Sequence, residues 1–375
     1  MRSTAISISV ALTLLTATPV PAQMTVVNQA AADKLGGMPQ FQVDAFWPKP
    51  LPNNWLLGQV AGIRADRNNH IWVLHRPNSL TARERIAEQV PPPARCCVAA
   101  PPVLVFDTSG NLIKYWGGPA PGYDWPKSEH GIYVDDNEFV WIAANDRTDG
   151  HILKFTTDGN FVLQIGKPIT GPDSSATDRL GSPADIAVDI AAKEVFVADG
   201  YANRRIAVFD SETGAYKRHW GAYGKTPSDE KMPAYDPSKP PAGQFATPVH
   251  CVRIANDGLV YVCDRTNDRL QVFRKDGTFV AEHFYEKQTR LNGSVYEVAF
   301  SSDVGQKFLY MIDGSNGEVR IVDRLGYEVL GRFGRIGRQA GQFNVLHNIT
   351  VDREGNIYTA EAGAGQRVQK FRRLD

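Results

Sequence analysis

The chain has 375 residues, 42% hydrophobic and 22% charged, with 41 Lys plus Arg set against 41 Asp plus Glu. Such a composition excludes a disordered or fibrous chain, and balanced charge without like-sign blocks excludes the footprint of a nucleic-acid or anionic-membrane binder. Partners have to be read from sites.

The opening stretch, MRSTAISISVALTLLTATPVPAQ, places Arg2 in a short basic head, an apolar run from Ala5 to Ala17, and Val20-Pro21-Ala22 as a small-residue cleavage site. Residues 1–22 therefore read as a signal peptide, residues 23–40 as a linker, and residues 41–375 as the body of a periplasmic or secreted protein. The apolar run is short and rich in Ser and Thr, and no later stretch approaches the ~20 residues that a membrane span needs. No span is expected in the mature chain, and a monomer is the expectation.

From residue 62 onward one pattern recurs: an apolar strand, a turn carrying Asp, Asn or Gly, a second strand, and a third strand. The first unit is GIRADRNNHIWVLHR, whose third strand PVLVFD arrives only after an insertion at residues 77–102. There follow GIYVDDNEFVWIAANDRTDGHILKF, DIAVDIAAKEVFVADGYANRRIAVF and, after a bridge at residues 224–246, CVRIANDGLVYVCDRTNDRLQVF. A looser copy, EVAFSSDVGQKFLYMIDGSNGEVRIVD, precedes the last, NITVDREGNIYTAEAGAGQRVQKF. Units continue into a fourth short strand, as in TTDGNFVLQIG, RKDGTFVAEHF and DRLGYEVLGRFG. Four-stranded sheets with two apolar faces cannot stand alone, so the sequence predicts an all-β, six-bladed β-propeller. The sixth unit stops after its third strand, and FQVDAFWP at residues 41–48 is expected to supply the fourth, closing the ring.

Counting five residues back from the turn after each first strand gives one equivalent position per unit: Ala61, His130, Ala184, His250, Tyr296 and His347. Histidine fills this slot in alternate units. First strands line a propeller's channel, so the three imidazoles are expected to converge on the axis and hold a metal through neutral nitrogen, zinc or another divalent transition metal, with a coordination position left open. A lone channel histidine would read as structural; three at alternate slots do not. Second strands end at the same face, where they place Arg76, Tyr201 and Arg265, a set suited to a carboxylate-bearing substrate and a proton transfer. His75, His151, His70, His219 and His283 fall outside the slot and are read as surface residues. Cys251 and Cys263 lie on the two arms of one hairpin, as a cross-strand bridge or as two buried thiols. Cys96 and Cys97 show no metal-finger spacing. No phosphate cradle or Gly-x-Ser-x-Gly elbow is present.

The units resemble NHL repeats, and GQVAGIRADRNNHIWVLHR, EHGIYVDD, VFVADGYANRRIAVF, VHCVRIANDGLVYVCDR and VLHNITVD make residues 41–375 similar to the peptidyl-α-hydroxyglycine α-amidating lyase family. The resemblance implies zinc on His130, His250 and His347, with Arg76, Tyr201 and Arg265 catalytic. It also implies a calcium held by the carbonyls of Ile63 and Ile132 and by an aspartate after the last histidine. That position is Asn348 here, so a weaker site or none is expected.

The expected function is thus an exported metal-dependent lyase, splitting a peptidyl or N-acyl α-hydroxyglycine into an amide and glyoxylate. The alternatives are a non-catalytic NHL propeller for protein or ligand recognition and, less favoured by an imidazole slot, a calcium-dependent propeller lactonase.

Overall fold

The computed structural model describes residues 24–168 and 171–374. The signal peptide expected at residues 1–22 lies outside the described residues. Among those described, no helix is long and apolar enough to cross a membrane.

Six antiparallel sheets surround one axis, each counted from an inner strand outward. The inner strands are Gln59–Ala65, Glu129–Val134, Pro183–Asp189, Val249–Ile254, Glu297–Phe300 and Leu346–Val351. Blade six is completed by Phe41–Asp44, which pairs with the C-terminal strand Arg367–Arg373, so the expected closure is present. Within residues 23–40, the expected linker, Thr25–Val26 adds a fifth strand to blade five. Helix Gln29–Lys34 follows, with the Asn28 side chain accepting from the Ala31 amide at its start and Ala31 and Ala32 buried.

Burial explains why the strands read as continuously apolar. Alternate side chains of Glu194–Asp199 point opposite ways, Val195 and Val197 into the cluster shared with blade two, Phe196 and Ala198 into that shared with blade four. Among the described residues, six such clusters occur, one at each junction between neighbouring blades. Stacked sheets thus form the core, and the axis is left to polar groups.

Two devices repeat. The turn carboxylates Asp66, Asp135 and Asp352 accept from backbone amides of their own turns and from Trp72, Trp141 and Tyr358 on the second strand. In blades three to six, an arginine in the first three residues of the third strand pairs with a carboxylate closing the second: Arg205 with Asp199, Arg269 with Asp264, Arg320 with Asp313, and Arg367 with Glu361. Spare donors of Arg205 and Arg269 bond loop carbonyls of Ala176 and Gln244, so each arginine pins a connection as well as a strand end.

Cys251 and Cys263 stand opposite each other on neighbouring strands with Cα atoms 4.8 Å apart and form a disulfide, and Cys96 pairs with Cys97. In the insertion, Val98–Ala99 runs parallel to Trp55–Leu56.

Ring closure yields the first prediction. Phe41 is fully buried on the closing strand against Tyr310 and Phe333 of blade five. Phe41→Ala should cost about 3–5 kcal/mol, read as a lower urea midpoint at unchanged slope.

Candidate metal centre

The slot residue sits at an irregularity that repeats around the axis. In blade four Val249 faces Asp264 and Cys251 faces Cys263, leaving His250 as an extra residue, and the same mismatch leaves out Ala61, Ala184 and His347. In blade two the register shifts across His130 and Gly131. A bulge of this kind breaks the alternation of side chains and turns consecutive residues toward one side.

Through these bulges His130, His250 and His347 meet on the axis, with ring centroids 4.8–5.1 Å apart. One nitrogen from each lies within 4.8 Å of the others. All three are buried. Each Nδ1 donates to the carbonyl of the slot residue in the next blade: His130 to Ala184 at 2.7 Å, His250 to Tyr296 at 2.6 Å, and His347 to Ala61 at 2.9 Å. A carbonyl can only accept, so Nδ1 carries the proton and the Nε2 lone pair is left for the axis. Burial first, and then neighbouring cationic groups, hold His130 and His250 far below the ordinary imidazole range and bring His347 down to about 3.

Three neutral imidazoles with oriented lone pairs fit a divalent transition metal. Nε2 of His250 is buried without a hydrogen-bond partner, an arrangement that a metal ion would satisfy. The carbonyls behind the rings are the outer support that such ligands require.

The residues at the ends of the second strands reach the same chamber. Tyr201 Oη lies 2.9 Å from His130 Nε2, and since that nitrogen has only a lone pair to offer, the phenol donates. Arg265 Nη1 lies 3.4 Å from the Tyr201 oxygen, and its guanidinium covers the Tyr296 ring at 4.7 Å. Arg76 is braced by the Glu129 carbonyl at 2.7 Å, Gln59 at 3.0 Å and Asn145 at 3.2 Å. Its charge acts on His130 and His347, although it does not bond Tyr201 directly. Sequence reasoning passed over Tyr296 as a contributor; its slot position was the available signal. Gln59, Glu129 and Asn145 carried none.

Ile63 and Ile132 lie two residues beyond the slot in blades one and two, with side chains buried in the junction clusters. Asn348 lies one beyond it in blade six, where its amide donates to Glu297 at 3.3 Å and its oxygen has no partner.

Two other histidines correct the surface reading. His75 is fully buried, accepting from the Gly58 amide and donating to the Pro101 carbonyl, and burial lowers it to about 4. His151 is buried against the Asp124 carbonyl. Both lie on strands packed between blades, where position in the sheet outweighs polarity.

No protein-family model matches the chain. It is similar to peptidyl-glycine alpha-amidating monooxygenase of Mus musculus, 24% identical over 326 residues, which is 83% of this chain and 30% of that protein. A probable peptidyl-alpha-hydroxyglycine alpha-amidating lyase of Caenorhabditis elegans is 26% identical over 226 residues, 58% of this chain and 56% of that one. NHL repeat-containing protein 3 of Mus musculus is 25% identical over 353 residues, 89% of this chain and 84% of that one. The chain spans 30–35% of the length of the amidating monooxygenases it matches. Among solved structures, a streptogramin B lyase shares the fold with a TM-score of 0.51 at 12% identity, covering 89% of this chain and 98% of that one.

Gly131 tests the support of the rings. A Cβ there would come within 2.5 Å of the Ala184 carbonyl that receives His130. Gly131→Ala should weaken metal binding by about 10–100-fold, measured by competition with a chromophoric chelator.

Proposed function

We propose that the chain is an exported zinc-dependent lyase that cleaves a peptidyl or N-acyl α-hydroxyglycine to an amide and glyoxylate, acting as a monomer on a carboxylate-bearing small molecule or peptide. The observation that carries this reading is the contact of Tyr201, itself touched by Arg265, with one of three converging imidazoles. The similarity to amidating enzymes over most of the chain supports the reaction class. Export is supported by the leader-like pattern of residues 1–22 and by the Cys251–Cys263 disulfide, a bond that persists in oxidising compartments.

His130, His250 and His347 would hold the zinc ion, which when bound supplies Lewis-acid polarisation of a substrate oxygen. With the His130 lone pair given to the ion, the Tyr201 hydroxyl would be free to meet substrate. Tyr201 takes the proton of the substrate hydroxyl while passing its own phenolic proton to the departing nitrogen, the C–O bond becomes the aldehyde carbonyl of glyoxylate, and the C–N bond breaks with its electron pair on nitrogen. The protonated nitrogen leaves as the amide, and Tyr201 ends as it began, a neutral phenol. Arg265 and Arg76 bind the substrate carboxylate and hold the hydroxyl against Tyr201.

A recognition propeller is the second reading, favoured by similarity to NHL repeat-containing protein 3 along most of both chains. Incubation with α-hydroxyhippurate separates the two. Zinc-loaded protein should release glyoxylate, chelation should abolish release, and Tyr201→Phe should lower kcat by about 10²–10⁴-fold while zinc content is retained. No release from zinc-loaded protein would leave the recognition reading.

A further inference from the structure

One residue beyond the slot lies a second tier. Its occupants are Gly62, Gly131, Asp185, Cys251, Glu297 and Asn348. The two glycines admit neighbouring backbone: a Cβ at Gly62 would meet the His130 carbonyl at 2.8 Å, and one at Gly131 would meet the Ala184 carbonyl. Asp185 and Glu297 are acidic and buried, at 1% and 0% exposure. Arg253, on the inner strand of blade four and 3% exposed, reaches both. One guanidinium nitrogen pairs with Asp185, and the other lies 3.2 Å from Glu297. The Asp185 oxygen that takes Arg253 also accepts from the Val252 amide at 3.0 Å, and Glu297 accepts from Asn348.

The two carboxylates belong to the peptide units that orient the metal ligands. Asp185 directly follows Ala184, whose carbonyl receives His130, and Glu297 directly follows Tyr296, whose carbonyl receives His250. A clamp across Asp185 and Glu297 therefore fixes two of the three ring orientations.

We propose that Arg253 is a built-in axial cation: by clamping Asp185 and Glu297 it holds the carbonyls that orient His130 and His250, and it does so in place of a second metal ion. The residues present do not suit calcium. Asn348 replaces an anionic ligand with a neutral one, both nearby carboxylates already share a fixed positive charge, and Arg64 adds a second guanidinium whose field reaches Glu297. One oxygen of Asp185 and the amide oxygen of Asn348 are buried without a hydrogen-bond partner. Arg253 is thus a positioning residue for the metal centre, and the inference rests on the three-histidine reading of that centre.

The experiment compares the full-length protein with Arg253→Met and Arg253→Lys. The wild type should contain no stoichiometric calcium by elemental analysis and keep its melting temperature in EGTA. Arg253→Met, which strands two buried carboxylates, should melt roughly 5–10 °C lower, recover part of that loss in millimolar calcium, and bind zinc about 10–100-fold more weakly by chelator competition. Arg253→Lys, which keeps the charge, should melt closer to wild type and gain nothing from calcium. One calcium per wild-type chain, with a fall in melting temperature on chelation, overturns the proposal even if the methionine variant does not fold. Unchanged zinc affinity and stability in a folded Arg253→Met also overturn it. A wild type that binds no zinc would instead sink the metal-centre reading, while the calcium measurements still judge the axial cation.

Discussion

In the innermost strands of blades one, three, four and six two residues face one across the ladder, the register of blade two shifts at the same place, and the chemistry follows from that mismatch. A regular strand would send His250 and Cys251 to opposite faces. The bulge leaves His250 outside the pairing that joins Cys251 to Cys263, so the ring can swing to the axis while the disulfide stays in the junction between blades four and five. The carbonyl that orients each histidine comes from the slot residue of the next blade. Blades two, four and six donate rings; blades three, five and one return carbonyls. Neither half works without radial closure, because His347 depends on Ala61 across the seam sealed by residues 41–44 and 367–373.

Much of this was legible in the sequence because turn chemistry sets a ruler. Asp66, Asp135 and Asp352 mark the first turn of their units, and counting back from them finds the slot without knowledge of the backbone. The second tier was not legible. Strand alternation, applied to Asp185 and Glu297, points them away from the side that the slot residues face; in blade three a bulge at Ala184 overrides it, and in blade five Glu297 opens the paired strand directly after Tyr296. The partner that neutralises them, Arg253, belongs to a different unit, and no spacing within one repeat predicts contact between blades. His75 and His151 were misjudged for a related reason: the sequence shows a polar residue at a strand end, but not that loop carbonyls from Pro101 and Asp124 cover it.

The axis carries an energetic tension that its composition resolves. Six apolar junctions surround a column of imidazole, carboxylate, amide and guanidinium, where unpaired polar groups are costly. Burial favours neutral imidazole, which suits metal ligation, and the same burial pushes the Asp185 and Glu297 carboxyls upward against the pull of Arg253. A buried ion pair seldom adds stability over an apolar replacement. Its retention next to the rings is better explained by orientation, since the peptides it anchors are those that aim His130 and His250.

Departures from six-fold repetition separate structure from chemistry here. The turn aspartates and the arginine–carboxylate pairs recur from blade to blade and hold strands and loops together. By contrast, glycine at the second tier occurs only in blades one and two, and Arg253 has no arginine counterpart in blades two, three, five and six. Arg64 occupies its equivalent position in blade one but lies over the Tyr133 ring at 4.2 Å, with no carboxylate among the described residues in salt-bridge contact. Tyr201 and Arg265 likewise interrupt the repeat at the mouth where the imidazoles converge. A repeat that needed only to pack would have no reason to vary at these points, so the site is defined by where the symmetry fails.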